Sequence, residues 1–367
     1  SGRGWKVNDP RRARALYEIL ATIDEPTIVY CSGPDKATKL AVGFFDFLME
    51  TQGQVPKGIE IDKTKDIVEW IRENVHDQWC LARLISSGIA FHHGHLPRHL
   101  GSSIVDAFNA FGVRWLFCTS TLIEGVNTTA RNVVLYDKKK GRKPIDYFDY
   151  KNIVGRSGRM KVHFVGRVFE FHKDPAQAEM YVEIPLFEQR NAPVELLVQL
   201  DKEDIDADAV HRLDEFEKLD AELKEVIRKN SGLPVEGQAN LAAEIESSLN
   251  YYHQLLLWKG YPDFEQLNAT LDLCWRHLLR NSDSKANVRT ARQLAYLTLQ
   301  YANERSLKKI IASSIESEFW KTQVPDYDSR VQQIVLQMLG VSRHWFDFKL
   351  PKLLAGISEL QDYVLRK

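Results

Sequence analysis

Two short segments in the first half of the chain carry side chains suited to binding phosphate. The segment at 116–130 reads LFCTSTLIEGVNTTA, in which a Thr-Ser-Thr turn follows a predicted buried strand. A strand-to-helix turn favours phosphate, because the helix start leaves N–H donors unpaired and carries partial positive charge. The segment at 152–159 reads NIVGRSGR and holds two arginines three residues apart. Planar arginine forks stabilise the spread charge of a transferring phosphoryl group, although a solvated basic helix end remains the alternative.

A basic segment lies between these two candidates. Residues 136–161 contain nine Lys and Arg residues, whereas residues 201–225 contain eleven acidic and four basic residues, a pattern typical of a solvated helical face. Residues 133–148 read VVLYDKKKGRKPIDYF and predict a hairpin, because two strand-like flanks surround a basic turn that contains glycine. The alternative is a solvated loop whose lysines serve solubility.

The elements that would position these segments alternate between strands and helices. Such alternation predicts an α/β domain, with a parallel sheet covered by helices. Beyond about residue 190 the apolar residues recur at three and four spacing, which predicts a mainly α-helical domain. We therefore predict domains at 1–190 and 191–367. The strands are predicted at 27–31, 89–91, 115–118, 133–136 and 168–171.

Composition excludes several classes of protein. With 367 residues, 49 Lys and Arg, 50 Asp and Glu, and 44% hydrophobic residues, the chain is neither disordered nor a coiled coil. No apolar run is long enough to span a membrane and no secretory signal is visible, so a cytoplasmic location (nuclear in a eukaryote) and no membrane partner are expected. The four cysteines are predicted to be buried free thiols. No metal site is predicted at His92, His93 and His95, since no Cys or carboxylate stands at ligand spacing.

Read in order, the segments resemble the second motor lobe of superfamily 2 helicases of the DEAD/DEAH type, in the superkiller-like branch. Residues 27–32 are similar to motif IV of that family, and 91–97 (FHHGHLP) to the segment after it. Residues 119–127 are similar to motif V, and 152–159 to motif VI. The resemblance covers about residues 10–172 and implies a RecA-like fold for the first domain.

The resemblance also implies roles for individual residues. Contacts to the backbone of a single nucleic-acid strand are implied for Ser32, His93, Gly94, Thr119 and Thr121. A hairpin at this location wedges between duplex strands in related helicases, which implies nucleic-acid contacts for Lys138, Lys139, Lys140, Arg142 and Lys143. Contacts to the nucleotide are implied for Gly125, Asn127, Asn152 and Gly155, and arginine fingers on the γ-phosphate for Arg156 and Arg159. Asn152 departs from the pattern, because motif VI usually has Gln there.

Two motifs that helicase ATP hydrolysis requires are missing from the sequence: a phosphate loop ending in GK[ST] and the acidic motif that holds Mg²⁺. We therefore expect the C-terminal portion of an ATP-dependent helicase or translocase, inactive by itself. It would bind ATP and Mg²⁺ jointly with an N-terminal ATPase lobe absent from this chain, and single-stranded or partly duplex DNA or RNA as its substrate. The alternative is a non-catalytic nucleic-acid-binding or interaction module with a helicase-like fold.

Overall fold

A five-stranded parallel sheet forms the centre of the first half of the chain. The computed structural model describes residues 9–53, 61–123, 128–141, 143–156, 166–172, 189–283 and 287–367. The sheet order is β2-β3-β1-β4-β7, and the short strands β5 and β6 form a separate antiparallel pair. The strands are β1 Thr27–Tyr30, β2 Ile89–His92, β3 Trp115–Cys118, β4 Asn132–Leu135, β5 Lys139–Lys140, β6 Lys143–Pro144 and β7 Arg167–Glu170. All five strands predicted for the parallel sheet are confirmed to within one residue.

Burial differs between the two edge strands of the sheet, since the first three residues of β2 are buried and those of β7 are not. Strands β1, β3 and β4 are buried along their whole length, which explains their mainly apolar sequences. The edge strand β7 has exposed or half-exposed side chains throughout. This layered arrangement confirms the predicted α/β class with a RecA-like parallel sheet.

Helices cover this sheet, and local sequence sets several of their ends. The Asp9 side chain accepts a hydrogen bond from the backbone N–H of Arg12 and caps α1, whose first residue is Pro10. Helix α2 also begins with proline and is followed by Gly53, whose φ of 69° is the left-handed conformation that glycine adopts easily. The helices are α1 Pro10–Ala21, α2 Pro34–Gln52, α3 Asp62–Asn74, α4 Cys80–Ser86, α5 Arg98–Asn109, α6 Ser120–Ile123 and α7 Tyr147–Val154.

The rest of the described chain is helical, as predicted. None of the helices in the described ranges has the length and apolarity of a membrane span. The remaining α-helices are α8 Val194–Leu197, α9 Ala207–Val210, α10 Asp214–Glu217, α11 Ala221–Lys229, α12 Val235–Ser247, α13 Leu249–Leu256, α14 Phe264–Leu273, α15 Ala291–Glu304, α16 Leu307–Glu316, α17 Glu318–Gln323, α18 Tyr327–Val341 and α19 Leu350–Arg366. Single π-helical segments at Cys274–Leu278 and Ser342–Lys349 follow α14 and α18.

The chain forms two compact units, Ser1–Met180 with Ser306–Arg343, and Tyr181–Arg305 with His344–Lys367. Helices α16, α17 and α18 thus belong to the unit of the sheet, which differs from the linear division predicted at residue 190. Side-chain hydrogen bonds are part of the physical reason that α18 belongs to this unit. The Gln332 side chain on α18 accepts from the Cys80 N–H at 2.9 Å and donates to the Gln78 carbonyl at 3.1 Å, satisfying backbone groups at the start of α4.

A charged cluster around Glu244 ties helices of the second unit together. Arg276 donates two hydrogen bonds to the Glu244 carboxylate, at 2.7 and 2.8 Å, and the Tyr252 hydroxyl donates a third at 2.5 Å. Hydrogen bonding by Arg276 is the main cause that lowers the pKa of Glu244 well below its ordinary value. A depressed carboxyl pKa stabilises the fold above the ordinary pKa, and this contribution is lost as the pH falls.

We predict that Glu244→Gln lowers the free energy of unfolding by about 1 to 2 kcal/mol at neutral pH, because charge-assisted hydrogen bonds are lost. The deficit relative to the wild type should shrink as the pH falls below about 4.3, the ordinary glutamate value, because Glu244 of the unfolded wild-type chain then binds a proton while the folded carboxylate is still ionised. Denaturant unfolding at a series of pH values measures both effects.

The matched control is Glu246→Gln, two residues along the same helix, whose carboxylate makes an exposed ion pair with Lys367. Exposed pairs contribute little, so this variant should unfold almost as the wild type does. Equal stability of the two variants at all pH values would contradict the importance given to the Glu244 cluster.

Candidate nucleic-acid and nucleotide interface

The predicted phosphate-binding residues meet at the carboxyl edge of the parallel sheet. Ser32 follows β1, Gly94 follows β2, and Thr119 follows β3 directly. Backbone hydrogen bonds hold these strand ends in register: the Thr119 N–H donates to the His92 carbonyl at 3.2 Å, and the Cys31 N–H to the Cys118 carbonyl at 2.8 Å. Three segments separated in sequence therefore present their ends side by side.

The Thr-Ser-Thr turn places two hydroxyls together at this edge. The Thr119 and Thr121 hydroxyl oxygens lie 3.1 Å apart and share a hydrogen bond, with Thr119 buried and Thr121 exposed. Gly94 is exposed beside them, and a Cβ added there would lie 3.4 Å from the Thr121 methyl group. The glycine thus lets the loop after β2 pass close to the threonine turn.

His93 lies inside the protein, contrary to its predicted nucleic-acid contact. Its side chain is 1% exposed and stacks on Phe91 with ring centroids 5.4 Å apart. Nδ1 accepts from the His95 N–H at 3.3 Å, and Nε2 lies 3.5 Å from the Thr38 hydroxyl. Burial, followed by the neighbouring His95, lowers the pKa of His93 well below its ordinary value, so the ring is neutral at pH 7.

These contacts define a positioning role for the ring. Because Nδ1 accepts a hydrogen bond, the proton of the neutral ring is assigned to Nε2, which donates to the Thr38 hydroxyl. That hydroxyl in turn donates to the Pro34 carbonyl at 3.1 Å, in the first turn of α2. His93 therefore connects the loop after β2 with the start of α2, and we reassign it from a nucleic-acid ligand to a positioning residue.

Arg156 lies two residues beyond the end of α7. Burial raises the pKa of the Cys118 thiol at the end of β3, and the positive charge of Arg156 opposes that shift, which indicates that the guanidinium is close to this strand end. Arg156 is half-buried, whereas Asn152 and Gly155 on the same segment are exposed. The other predicted residues of motifs V and VI lie outside the described residues: Gly125, Asn127 and Arg159.

The four cysteines are free and buried, as predicted. Burial raises the pKa of each thiol, and that of Cys80 to about 12. All four are therefore protonated at neutral pH, so they behave as small apolar core side chains.

The basic segment forms a hairpin over the end of β1, shorter than the sequence predicted. Strands β5 and β6 pair Lys139 with Pro144 and Lys140 with Lys143, and Gly141 in the turn has a φ of 62°. We call β5 and β6, with their flanking residues Lys138 and Ile145, the basic hairpin. The Ile145 N–H donates to the Lys138 carbonyl at 2.9 Å and closes its base. The residues at 133–135 belong to β4, and those at 147–148 to α7.

The lysines of the basic hairpin differ in availability. Lys138, Lys139 and Lys143 are exposed, whereas the Lys140 ammonium pairs with the Asp149 carboxylate at 3.1 Å. Arg142 lies outside the described residues. The first three are therefore the better candidates for phosphate contacts, and Lys140 braces the hairpin against α7.

Sequence reasoning missed the acidic residue beside this hairpin. Asp137 is 6% exposed and follows β4. Its carboxylate accepts from the Ser32 N–H at 2.8 Å and from the Lys36 ammonium at 2.8 Å, with the Arg12 guanidinium 3.9 Å away. The available signal was a single acid between an apolar strand and a lysine run, and that pattern alone does not reveal three partners distant in sequence.

The opposite edge of the sheet has its arginines neutralised. Arg131 and Arg167 both pair with Glu25, at 3.2 and 2.7 Å, and Arg114 pairs with Asp24 at 3.0 Å. These pairs occupy the cations at the amino ends of β3, β4 and β7. The carboxyl edge instead exposes a threonine hydroxyl, a glycine loop and three hairpin lysines, which makes it the better surface for an anionic polymer.

Comparison with known proteins identifies related sequences. The family described as "Helicase conserved C-terminal domain" matches residues 61–161. "Anti-bacteriophage protein B" of Escherichia coli strain K12 is 36% identical over 368 residues, covering 97% of this chain and 48% of that protein. "ATP-dependent DNA helicase Hel308" of Aeropyrum pernix is 45% identical over 83 residues, which cover 22% of this chain and 11% of the helicase. The Hel308 of Pyrobaculum calidifontis is 28% identical over 188 residues, covering 50% of this chain and 26% of the helicase. The chain thus spans about half the length of its E. coli relative, and less of the two helicases.

The hairpin lysines yield a prediction for nucleic-acid binding by this chain. Replacing Lys138, Lys139 and Lys143 with Ala should flatten the slope of log affinity against log salt by about one to three units, because each phosphate contact releases counterions. Titration of a fluorescent single-strand-tailed duplex at several salt concentrations measures the slope.

The control is Lys140→Ala, which removes a hairpin lysine whose charge is already paired with Asp149. This variant should change the salt slope by less than any of the other three lysines does when replaced alone. An unchanged slope in the triple variant would make the basic hairpin a solvated loop.

Proposed function

We propose that this chain supplies the second motor lobe of an ATP-dependent DNA helicase or translocase. The chain belongs to the superfamily 2 helicases, as a C-terminal portion. One observation carries the proposal: Ser32, Gly94 and the turn with Thr119 and Thr121, three segments far apart in sequence, converge on one edge of a parallel sheet. The Hel308 relatives are named as DNA helicases, which favours DNA as the substrate.

The loops after β1, β2 and β3 would hold one strand by its phosphates. Thr119 and Thr121 supply hydroxyl groups. The exposed Gly94 lets the backbone of the nucleic-acid strand approach closely. Ser32 extends this surface toward the basic hairpin. Contacts to phosphate carry no base information, so we expect binding without sequence preference. Such binding suits an enzyme that moves along a strand.

The segment beyond α7 would serve the nucleotide. Arg156 and Arg159 are proposed as arginine fingers, and Asn152, Gly155, Gly125 and Asn127 as the residues that face ATP and its Mg²⁺ from this lobe. Bound ATP supplies a phosphoanhydride whose γ-phosphoryl is transferred to water. A half-buried guanidinium at the carboxyl edge fits such a role, because a fixed positive charge away from bulk water stabilises developing phosphoryl charge. The phosphate loop and the remaining Mg²⁺ ligands would come from an N-terminal ATPase lobe.

Arg156→Ala in the full-length enzyme is predicted to reduce DNA-stimulated ATP turnover by about 10³-fold or more, the scale of arginine fingers in phosphoryl transfer. Affinity for single-stranded DNA should change little, because the arginine faces the nucleotide. Arg159→Ala should behave in the same way. Steady-state ATPase assays and DNA titration measure the two quantities.

Arg156→Lys is the matched variant, since it keeps the charge and loses the planar fork. It should remain close to Arg156→Ala in turnover. The present chain alone should show no DNA-stimulated turnover, as the phosphate loop is missing from its sequence. Loss of DNA binding with normal hydrolysis would contradict the assignment of Arg156 to the nucleotide.

A role in defence against bacteriophage is proposed on the relative that matches over 97% of this chain and is named for that activity. If the motor drives defence, Arg156→Ala should abolish it in cells that carry the full-length protein. Plaque counts on wild-type and variant cells provide a second readout of the same substitution. Full protection by an ATPase-dead variant would separate defence from the motor.

A further inference from the structure

We propose that Asp137 and Tyr30 are positioning residues that fasten the basic hairpin to the loop carrying Ser32, so that the hairpin moves together with the DNA-gripping edge. This inference rests on the proposed function, because it requires that the hairpin separates the strands of a DNA duplex and that the Ser32 loop helps to bind single-stranded DNA. We define the Ser32 loop as residues 31–33, between β1 and α2.

The backbone N–H and carbonyl of Ser32 both form hydrogen bonds with residues in the basic hairpin or next to it. Its N–H donates to the Asp137 carboxylate at 2.8 Å, just before the hairpin. Its carbonyl accepts from the N–H of Gly141, in the hairpin turn, at 3.0 Å. One peptide segment is therefore held from the base and from the turn of the same hairpin.

Tyr30 provides a third attachment from the last residue of β1. Its side chain is 1% exposed, and its hydroxyl donates to the Lys139 carbonyl in β5 at 3.1 Å. The aromatic ring is fixed in the core of the sheet, so the hydroxyl is a rigid donor. The hairpin is thereby attached to a central strand as well as to the loop.

The hairpin needs such attachments because it is small. It contains two pairs of residues, and an isolated two-stranded hairpin is marginally stable in water. Its remaining ion pair within the described residues, Lys140 with Asp149, connects it to α7. A wedge that must resist base pairs needs a rigid base, which the contacts of Tyr30, Ser32 and Asp137 provide.

The negative charge of Asp137 is balanced by basic groups on two helices. Every charged group that faces its carboxylate among the described residues is basic: Lys36 from α2 at 2.8 Å and Arg12 from α1 at 3.9 Å. Arg12 also stacks over the Tyr136 ring, 4.2 Å from its centroid, and contacts the His172 ring beyond β7. Asp137 therefore neutralises cations from two helices while it holds the Ser32 N–H, so that the lobe and the hairpin base form one body.

The first test measures the fastening in this chain, without any motor activity. Tyr30→Phe removes one hydroxyl and keeps the ring, and Asp137→Ala removes the carboxylate. Hydrogen exchange of the Gly141 and Ile145 amides should accelerate by about two- to tenfold in each variant, the effect of losing one hydrogen bond. Tyr363→Phe is the control, since it removes a hydroxyl that bonds Asp220 in the second unit.

The second test uses the full-length enzyme. We expect Tyr30→Phe to lower the number of base pairs separated per ATP hydrolysed by about two- to tenfold, while single-strand-stimulated ATPase and affinity for single-stranded DNA stay at the wild-type level. A general loss of folding would instead lower all three quantities together.

The outcomes separate this inference from the function on which it rests. Wild-type exchange rates in Tyr30→Phe, or a wild-type yield of base pairs per ATP, would overturn the fastening role. Because Tyr30→Phe is a mild change, it remains informative if Asp137→Ala does not fold. Absence of DNA-stimulated ATPase in the wild-type enzyme would overturn the proposed function, while the exchange test would still decide whether the hairpin is fastened.

Discussion

Parallel pairing of five short strands is the constraint on which the rest of this lobe depends. Parallel strands all end at the same edge of a sheet, so Ser32, Gly94 and Thr119 lie side by side. No sequence motif links these three residues directly. The buried centre of the sheet fixes the register, because a shift of one residue would exchange the side chains that pack on its two covered faces. The interface is thus a consequence of the core.

Electrostatics then distinguishes the two edges of the sheet. The arginines at the amino ends of the strands are paired with Asp24 and Glu25, whereas exposed lysines of the basic hairpin extend from the carboxyl edge. Asp137 is the exception at that edge, and its burial explains why it does not repel a polyanion: its charge is used internally by Lys36 and Arg12. A nearly neutral chain can therefore still present a local cationic surface.

The sequence was sufficient to predict the strands, the α/β class and the hairpin, because apolar runs and turn residues are local signals. It was not sufficient for contacts that depend on packing. The burial of His93, the pairing of Lys140 with Asp149 and the contacts of Asp137 each involve neighbours whose arrival is decided by the tertiary fold. The same holds for α18, whose Gln332 forms hydrogen bonds with backbone groups at the start of α4, more than 250 residues earlier in the chain. Hydrophobic periodicity predicts helices but not contacts between residues so far apart.

The central claim is the proposal that single-stranded DNA binds at the carboxyl edge of this sheet, and locating the crosslinks between the two tests it most directly. Photo-crosslinking of a thiothymidine-substituted oligonucleotide to the chain, followed by mass spectrometry of the crosslinked peptides, locates the strand. The account predicts crosslinks at the Ser32 loop, at Gly94 and at the turn from Thr119 to Thr121, with the hairpin lysines added when a duplex junction is present. Crosslinks confined to the opposite edge, at Asp24, Glu25 and Arg114, would contradict it.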